Sequence, residues 1–263
     1  MSVDQAEGGR SRRSEASAHG RPSVVGVLGE LLLTAGALIL LFLGWQLWWN
    51  DAIVAGQQSS AASDLGAQWL EDGWTERGDA PPPATEAFGD ALVGPVSYGN
   101  GEAFAVMYVP RFGEDSQRRI AEGVGLDVLN SAHLGVGHYP GTQLPGEVGN
   151  FAIASHRSAY GGGMHEIGRL RLGDPIYIQT RDAWYTYRFR DLEYVAPEAV
   201  DVLAPVPHHP GLQPTDRIVT LTSCNPLYST AERIIAYGVL ESWRPSAAGP
   251  PGEIADVVAT WEA

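Results

Sequence analysis

The chain has 263 residues, with 31 acidic side chains against 17 basic ones, all arginines, and a formal net charge of −14. That balance excludes a nucleic-acid partner held by phosphate neutralisation and a broad electrostatic grip on anionic lipid. With Cys224 as the only cysteine, an internal disulfide is excluded as well.

Taken in chain order, the first feature is a cluster of positive charge followed by an apolar run. Arg10, Arg12, Arg13 and Arg21 precede residues 24–49, and the stretch 31–49 carries no charge. At about 1.5 Å per residue that stretch approaches a hydrocarbon core roughly 30 Å thick, so one transmembrane helix is predicted over 24–49. The four arginines and His19 lie before it and the next arginine is Arg77. Residues 1–23 are therefore read as a cytoplasmic tail, and everything after Asn50 as exported. Trp45, Trp48 and Trp49 would anchor the outer interface. A cleaved signal peptide ending near Ile53-Val54-Ala55 is the rival reading, but the run exceeds an h-region of about 7–15 residues.

Residues 50–102 are rich in Ala, Gly, Ser, Asp and Glu and contain Pro81-Pro82-Pro83. They read as an extracellular linker, with a membrane-proximal helix around 61–70. Residues 103–244 have the size of one domain able to fold alone. Pro245, Pro250 and Pro251 mark its end, and 245–263 is expected to be a loose C-terminal tail.

Within the domain, short β-branched or aromatic runs bounded by Gly, Pro or Asp predict strands at 104–109, 150–155, 175–180, 184–189, 192–196, 218–223 and 233–240. A short helix is expected over 126–132 and a hairpin turn over 180–184. Such a pattern favours a closed barrel or a sandwich.

The chemistry concentrates at the end of one strand. Alternation along 218–224 puts Thr220, Thr222 and Cys224 on one face and Val219, Leu221 and Ser223 on the other, so the thiol sits on the polar face at the strand's mouth. Eight residues, 225–232, separate this strand from the next, and pairing would set Cys224 opposite Arg233. A free thiol titrates near about 8.5 and stays weakly reactive until a cation stabilises the thiolate or a base removes its proton. His156 can do either, and can then pass a proton to a leaving amine. Arg233 cannot act as a base, so its job is to donate hydrogen bonds to substrate or to a tetrahedral oxyanion. These groups suit acyl transfer from an amide, in the order His, Cys, Arg, whereas papain-like proteases run Cys before His with an Asn or Asp orienter.

Thr220-Leu221-Thr222-Ser223-Cys224 with Arg233, preceded by Gly137-His138-Tyr139-Pro140-Gly141-Thr142 and by residues 149–157, resembles the sortases, most closely the actinobacterial class E group. The likeness runs from about 104 to 243 and extends to Val109-Pro110-Arg111-Phe112-Gly113 and Gly173-Asp174-Pro175. It implies a closed eight-stranded β-barrel with short helices. It also implies a membrane-held transpeptidase that cleaves an LPXTG- or LAXTG-type sorting signal between Thr and Gly. The acyl-enzyme then passes to an amine of a cell-wall precursor. By motif, Cys224 would be nucleophile, His156 general acid and base, and Arg233 the substrate and oxyanion donor. His138, Tyr139, Thr222 and Ser223 are candidate substrate-binding residues. Two positions depart from the family's pattern: Ser223 stands where Thr is usual, keeping the hydroxyl, and Ser155 stands where Gly more often precedes the histidine and could tilt His156.

Other polar clusters attract no role. His165-Glu166 begins like a zinc-protease helix, but Arg169 occupies the position a second histidine would need. His208-His209 lies among Pro205, Pro207 and Pro210 and reads as a solvated loop; Glu193 and Asp201 lack a paired-carboxylate context. Gly161-Gly162-Gly163 reads as a flexible loop near His156. Neither a metal nor a cofactor is expected. Two other classes remain: a hydrolase using the same site, and a catalytically silent extracellular scaffold.

Overall fold

A computed structural model of the chain describes residues 23–77 and 97–261. It separates into two compact units, Met1–Trp45 and Gln46–Ala263. In the first, helix α1 spans Val24–Gly44, and none of its residues is buried. It is long and apolar enough to cross a membrane, with Glu30 its one charged side chain. A π-helical turn, Trp45–Trp49, follows it in sequence.

The second unit opens with α2, Asn50–Arg77. Eight strands follow: β1 Ala103–Tyr108, β2 Arg118–Glu122, β3 Gly135–His138, β4 Gly149–Ser155, β5 Pro175–Thr180, β6 Ala183–Val195, β7 Arg217–Asn225 and β8 Glu232–Pro245. A one-turn helix, α3 (Leu126–Leu129), precedes β3, and α4 (Ala255–Ala259) follows β8. The strands close into a barrel in the order β1-β2-β3-β4-β7-β8-β6-β5. The β2–β3 and β4–β7 pairs are parallel, whereas β7 and β8 are antiparallel. Closure leaves no edge strand to template aggregation. The barrel is filled by residues such as Met107, Ile120, Phe151, Tyr187, Leu221 and Ile234.

Several expectations change in detail. The predicted strands 184–189 and 192–196 are one strand, β6, whose register against β8 shifts between Phe189 and Asp191. Strands β2 and β3 escaped the sequence reading because Arg118-Arg119-Ile120-Ala121-Glu122 is mostly charged and Gly135-Val136-Gly137-His138 is half glycine, compositions with little intrinsic β preference. The helix expected over 126–132 stops at Leu129.

Two segments expected to be loose are packed. The membrane-proximal helix placed around 61–70 runs the full length of α2, because Ala62 and Trp69 bury against Val106 and Leu70 buries among Tyr108, Tyr177 and Trp184. Fully burying a side chain such as Leu70 stabilises by about 1.5–3 kcal/mol. The C-terminal segment places Ile254 and Val258 in that same cluster. Pro81-Pro82-Pro83 lies outside the described residues.

The segments 109–113 and 173–175, joined in sequence only by resemblance, meet in space. Arg111 Nε and Nη2 donate to the two carboxylate oxygens of Asp174, each at 2.7 Å. This bidentate pair holds the Asp174 carboxyl below its usual range. His208 is exposed, as expected of a solvated loop, but it has partners that the sequence reading did not give it. Its Nε2 lies 2.6 Å from Glu193 and its Nδ1 2.9 Å from Asp201, and these two carboxylates, Glu193 foremost, raise its pKa. Pairing across β6 and the β6–β7 connection created the carboxylate context that the sequence did not display.

Candidate active site

The strand register builds the site. Partners on β4 and β7 keep a constant spacing, from Gly149 opposite Arg217 to Ala154 opposite Thr222. Side chains carry that spacing beyond the ladder. The Ser223 hydroxyl donates to the Ser155 carbonyl at 2.8 Å, and Arg157 Nη1 donates to Asn225 Oδ1. Between these two links fall residues 156 and 224. His156 and Cys224 are thus brought side by side at the strand mouth, although 68 residues separate the flanking partners in sequence.

The other side of the site comes from β8, where Cys224 is the register partner of Arg233. Directly opposed residues on an antiparallel pair share a face, with Cβ atoms about 4.5–5.5 Å apart. The thiol is free and half-buried. It shares its face with Thr220 and Thr222, whereas Val219 and Leu221 enter the barrel core. Arg233 Nη1 donates to the Thr230 carbonyl at 3.2 Å and the Glu232 carbonyl at 3.0 Å. Its other two nitrogens have no hydrogen bond among the described residues, which leaves a planar edge able to meet a carbonyl or an oxyanion.

His156 has an orienting partner that sequence reasoning missed. Its Nε2 lies 2.8 Å from Asn130 Oδ1. An amide oxygen only accepts, so Nε2 carries the hydrogen, and Nδ1 is the nitrogen open to proton exchange. Tyr160 packs on the imidazole with ring centroids 5.2 Å apart. Burial lowers the His156 pKa from the ordinary 6.5, against the opposing pull of the Asp51 carboxylate. Asn130 lies between a one-turn helix and a strand, and no local pattern marks it as a partner for a side chain 26 residues later.

The tentative substrate residues divide. The Tyr139 hydroxyl lies 3.1 Å from Thr222 Oγ1 on the cysteine's face, so these two are brought together. Thr222 Oγ1 also donates to the Ile153 carbonyl. His138, by contrast, is 3% exposed. Its Nδ1 lies 2.6 Å from Glu122, and its Nε2 meets Thr142 Oγ1 and the Gln143 carbonyl. Both nitrogens are occupied, and the ring serves the barrel wall. Ser223 is likewise buried and spends its hydroxyl on the β4–β7 link.

Ser155 does not disturb this arrangement. Its hydroxyl donates to the Gly135 carbonyl at 2.6 Å, tying β3 to β4. Thr220 donates to Asn150 Oδ1, whose Nδ2 in turn donates to the carbonyls of Val202 and Ala204. The β6–β7 connection is thereby fastened beside the cysteine's face. Among the described residues, no group of three or more His, Cys, Asp or Glu could hold a metal ion.

Comparison with known proteins identifies the family and the fold. A family model described as the sortase domain matches residues 107–241. Sortase SrtE1 of Streptomyces coelicolor is 32% identical over 230 residues, covering 85% of this chain and 59% of that relative. Sortase SrtE2 of the same organism is 30% identical over 237 residues, covering 89% and 87%. The chain therefore spans about three fifths of the length of the first relative and most of the second. Among solved structures, the SrtA sortase from Actinomyces oris superposes with a TM-score of 0.58 at 38% identity, covering 64% of this chain and 95% of that one. Sortase E1 from Streptomyces coelicolor, solved with a tripeptide in the active site, gives 0.54 at 33% identity, covering 60% and 99%.

Proposed function

This chain belongs to the sortase family of cysteine transpeptidases, and on that premise we propose that it joins proteins bearing an LAXTG- or LPXTG-type signal to an amine of a cell-wall precursor. Cys224 is the nucleophile, His156 the general acid and base, and Arg233 the donor to substrate and oxyanion. The observation that carries the reading is the register: His156 directly follows β4, whose last residue Ser155 is tied to Ser223 next to Cys224, and Cys224 pairs with Arg233 across β7 and β8.

The chemistry runs in two halves. The thiolate of Cys224 adds to the threonine carbonyl carbon, and the free edge of Arg233 donates to the oxygen as negative charge grows on it. The Thr–Gly bond breaks, the imidazolium of His156 gives its proton to the departing glycine amine, and a thioester remains. An incoming amine then adds to that thioester, neutral His156 takes the amine's proton, and the thiolate leaves as the new amide forms. The tripeptide seen in the active site of Streptomyces coelicolor sortase E1 supports a peptide in the equivalent groove here.

The domain partition and location follow. Residues 1–23 form a cytoplasmic tail, 24–49 the single membrane span, 50–102 the extracellular connection, 103–244 the catalytic domain and 245–263 the C-terminal segment. The apolar α1 and the four arginines before it support this orientation.

The test uses the full chain in detergent micelles with Leu-Ala-X-Thr-Gly and Leu-Pro-X-Thr-Gly peptides plus an amine, with products identified by mass. Wild type is expected to yield the amide-joined product, and Cys224→Ala to form no acyl-enzyme. Turnover retained in Cys224→Ala rejects the assignment. Free acid as the sole product in the presence of amine establishes a hydrolase instead.

A further inference from the structure

Helix α2 does more than cover the barrel. Gln58 is fully buried. Its Nε2 donates to the Ser131 carbonyl at 2.8 Å and to the Tyr160 carbonyl at 2.9 Å. These acceptors lie in separate connections, one before β3 and the other after β4. Each adjoins a side chain that holds the imidazole: Asn130, beside Ser131, meets His156 Nε2, and Tyr160 packs on the ring. Two turns earlier on the same helix, Asp51 Oδ1 accepts the Gly161 amide at 2.7 Å.

The approach is close and the loop needs holding. A Cβ at Gly161 would meet Gln58 Oε1 at 2.5 Å, and one at Gly135 would meet Gln58 Cδ at 2.6 Å. Tyr160 has φ of 50°, a left-handed conformation that a bulky residue keeps only when its surroundings enforce it. Trp69 and Leu70 supply apolar packing of the same helix elsewhere on the barrel. A buried amide and a carboxylate aimed at the two connections around one histidine are a specific addition.

We propose that α2 is a positioning element for catalysis, in which Gln58 and Asp51 hold the Asn130 and Tyr160 connections so that His156 keeps its working orientation. The inference rests on the role proposed above for His156. Gln58 and Asp51 touch no reacting atom; they act through the loops. Asp51 also favours the imidazolium, partly offsetting the effect of burial. The other titratable or charged groups on the segments around His156 include Asp127 and His133 flanking Asn130, Arg118, Arg119 and Glu122 on β2, Arg157, Tyr160, His165, Glu166 and Arg169 after β4, Cys224 on β7, and Glu232 and Arg233 at the start of β8. Of these, Arg118 Nη2 donates to the Gly161 carbonyl, next to the bond made by Asp51.

Two measurements on the full chain in micelles test this. The first is peptide turnover for Gln58→Leu, with Leu70→Ala as a variant that weakens α2 packing away from the loops. Gln58→Leu is expected to lower kcat by about tenfold or more with KM nearly unchanged, since misplacing a catalytic group by about 1 Å costs up to about 10²-fold. Leu70→Ala should keep its kcat while losing stability. Equal losses of kcat in both variants, or none in Gln58→Leu, overturn the proposal.

The second is NMR titration of the His156 imidazole, which needs no substrate and also serves if Gln58→Leu fails to fold. Asp51→Asn should move the titration to lower pH, and Asp51→Glu should restore it. An unmoved titration overturns the role of Asp51. If wild type turns over no peptide while the titration still moves, the transpeptidase reading and the catalytic purpose of the positioning fall, and only the coupling of α2 to His156 stands.

Discussion

Ser223→Ala probes whether the β4–β7 link sets the catalytic geometry. Ser223 is 4% exposed, and its hydroxyl reaches the Ser155 carbonyl at 2.8 Å, between residues adjacent to Cys224 and to His156. A buried neutral hydrogen bond contributes about 1 kcal/mol net, and stranding its acceptor raises the cost to about 1–3 kcal/mol. Taking about 2 kcal/mol, and about 2–4 °C per kcal/mol for a domain of this size, the melting temperature should fall by about 4–8 °C. Thermal unfolding of the full chain in micelles, followed by circular dichroism, reads this directly. Turnover measured well below the transition should also fall, through kcat more than KM, because the strands carrying thiol and imidazole are no longer pinned together. Ser223→Thr keeps the hydroxyl and should recover both properties. An alanine variant with wild-type melting and wild-type kcat would refute the reasoning.

Three further outcomes are expected. Arg233→Lys should lower kcat/KM by about 10²–10³, the usual cost of losing an oxyanion donor, because an ammonium cannot present a planar fork; steady-state kinetics near wild type would reject the role. The pH profile of kcat/KM should be a bell whose acidic limb lies below 6.5, since burial lowers the His156 pKa; a limb at or above that value contradicts the effect. His208, raised by Glu193 and Asp201, should stabilise its loop fully below its unfolded pKa and lose that contribution as pH climbs through the folded value. Hydrogen-exchange protection factors across 196–216, which remove the intrinsic base-catalysed rise, should therefore fall on the alkaline side in wild type but not in His208→Gln, with high salt shrinking the difference because the groups are partly exposed.

The pairing of Cys224 with Arg233 was legible because it is written in short-range terms. Cys224 ends an alternating run, Arg233 begins the next one nine residues later, and the register pairs them. Six of the eight strands were legible for the same reason, as β-branched or aromatic segments between turn residues, two of the predicted runs fusing into β6. Strands β2 and β3 were not, since their charges and glycines carry no alternation and their pairing partners lie elsewhere in the chain. His138 looked available beside Tyr139 in sequence, yet Glu122, Thr142 and Gln143 enclose it. Asn130, Tyr160 and Gln58 gave no signal, because an amide or a phenol becomes an orienter only through what it faces.

By itself, then, the amino-acid order determined the apolar N-terminal helix and the β character of the domain, and it nominated Cys224, His156 and Arg233 for the roles proposed above. The helix and the β character follow from apolar length and alternation, readable within a few residues, whereas the three nominations joined functional-group chemistry to the likeness to the sortases. Tertiary structure alone decided that His156 stands beside Cys224, which imidazole nitrogen is held, and that α2 is docked onto the barrel. Such relations depend on register and close packing between segments 26 to 113 residues apart, and no local preference of the chain encodes them.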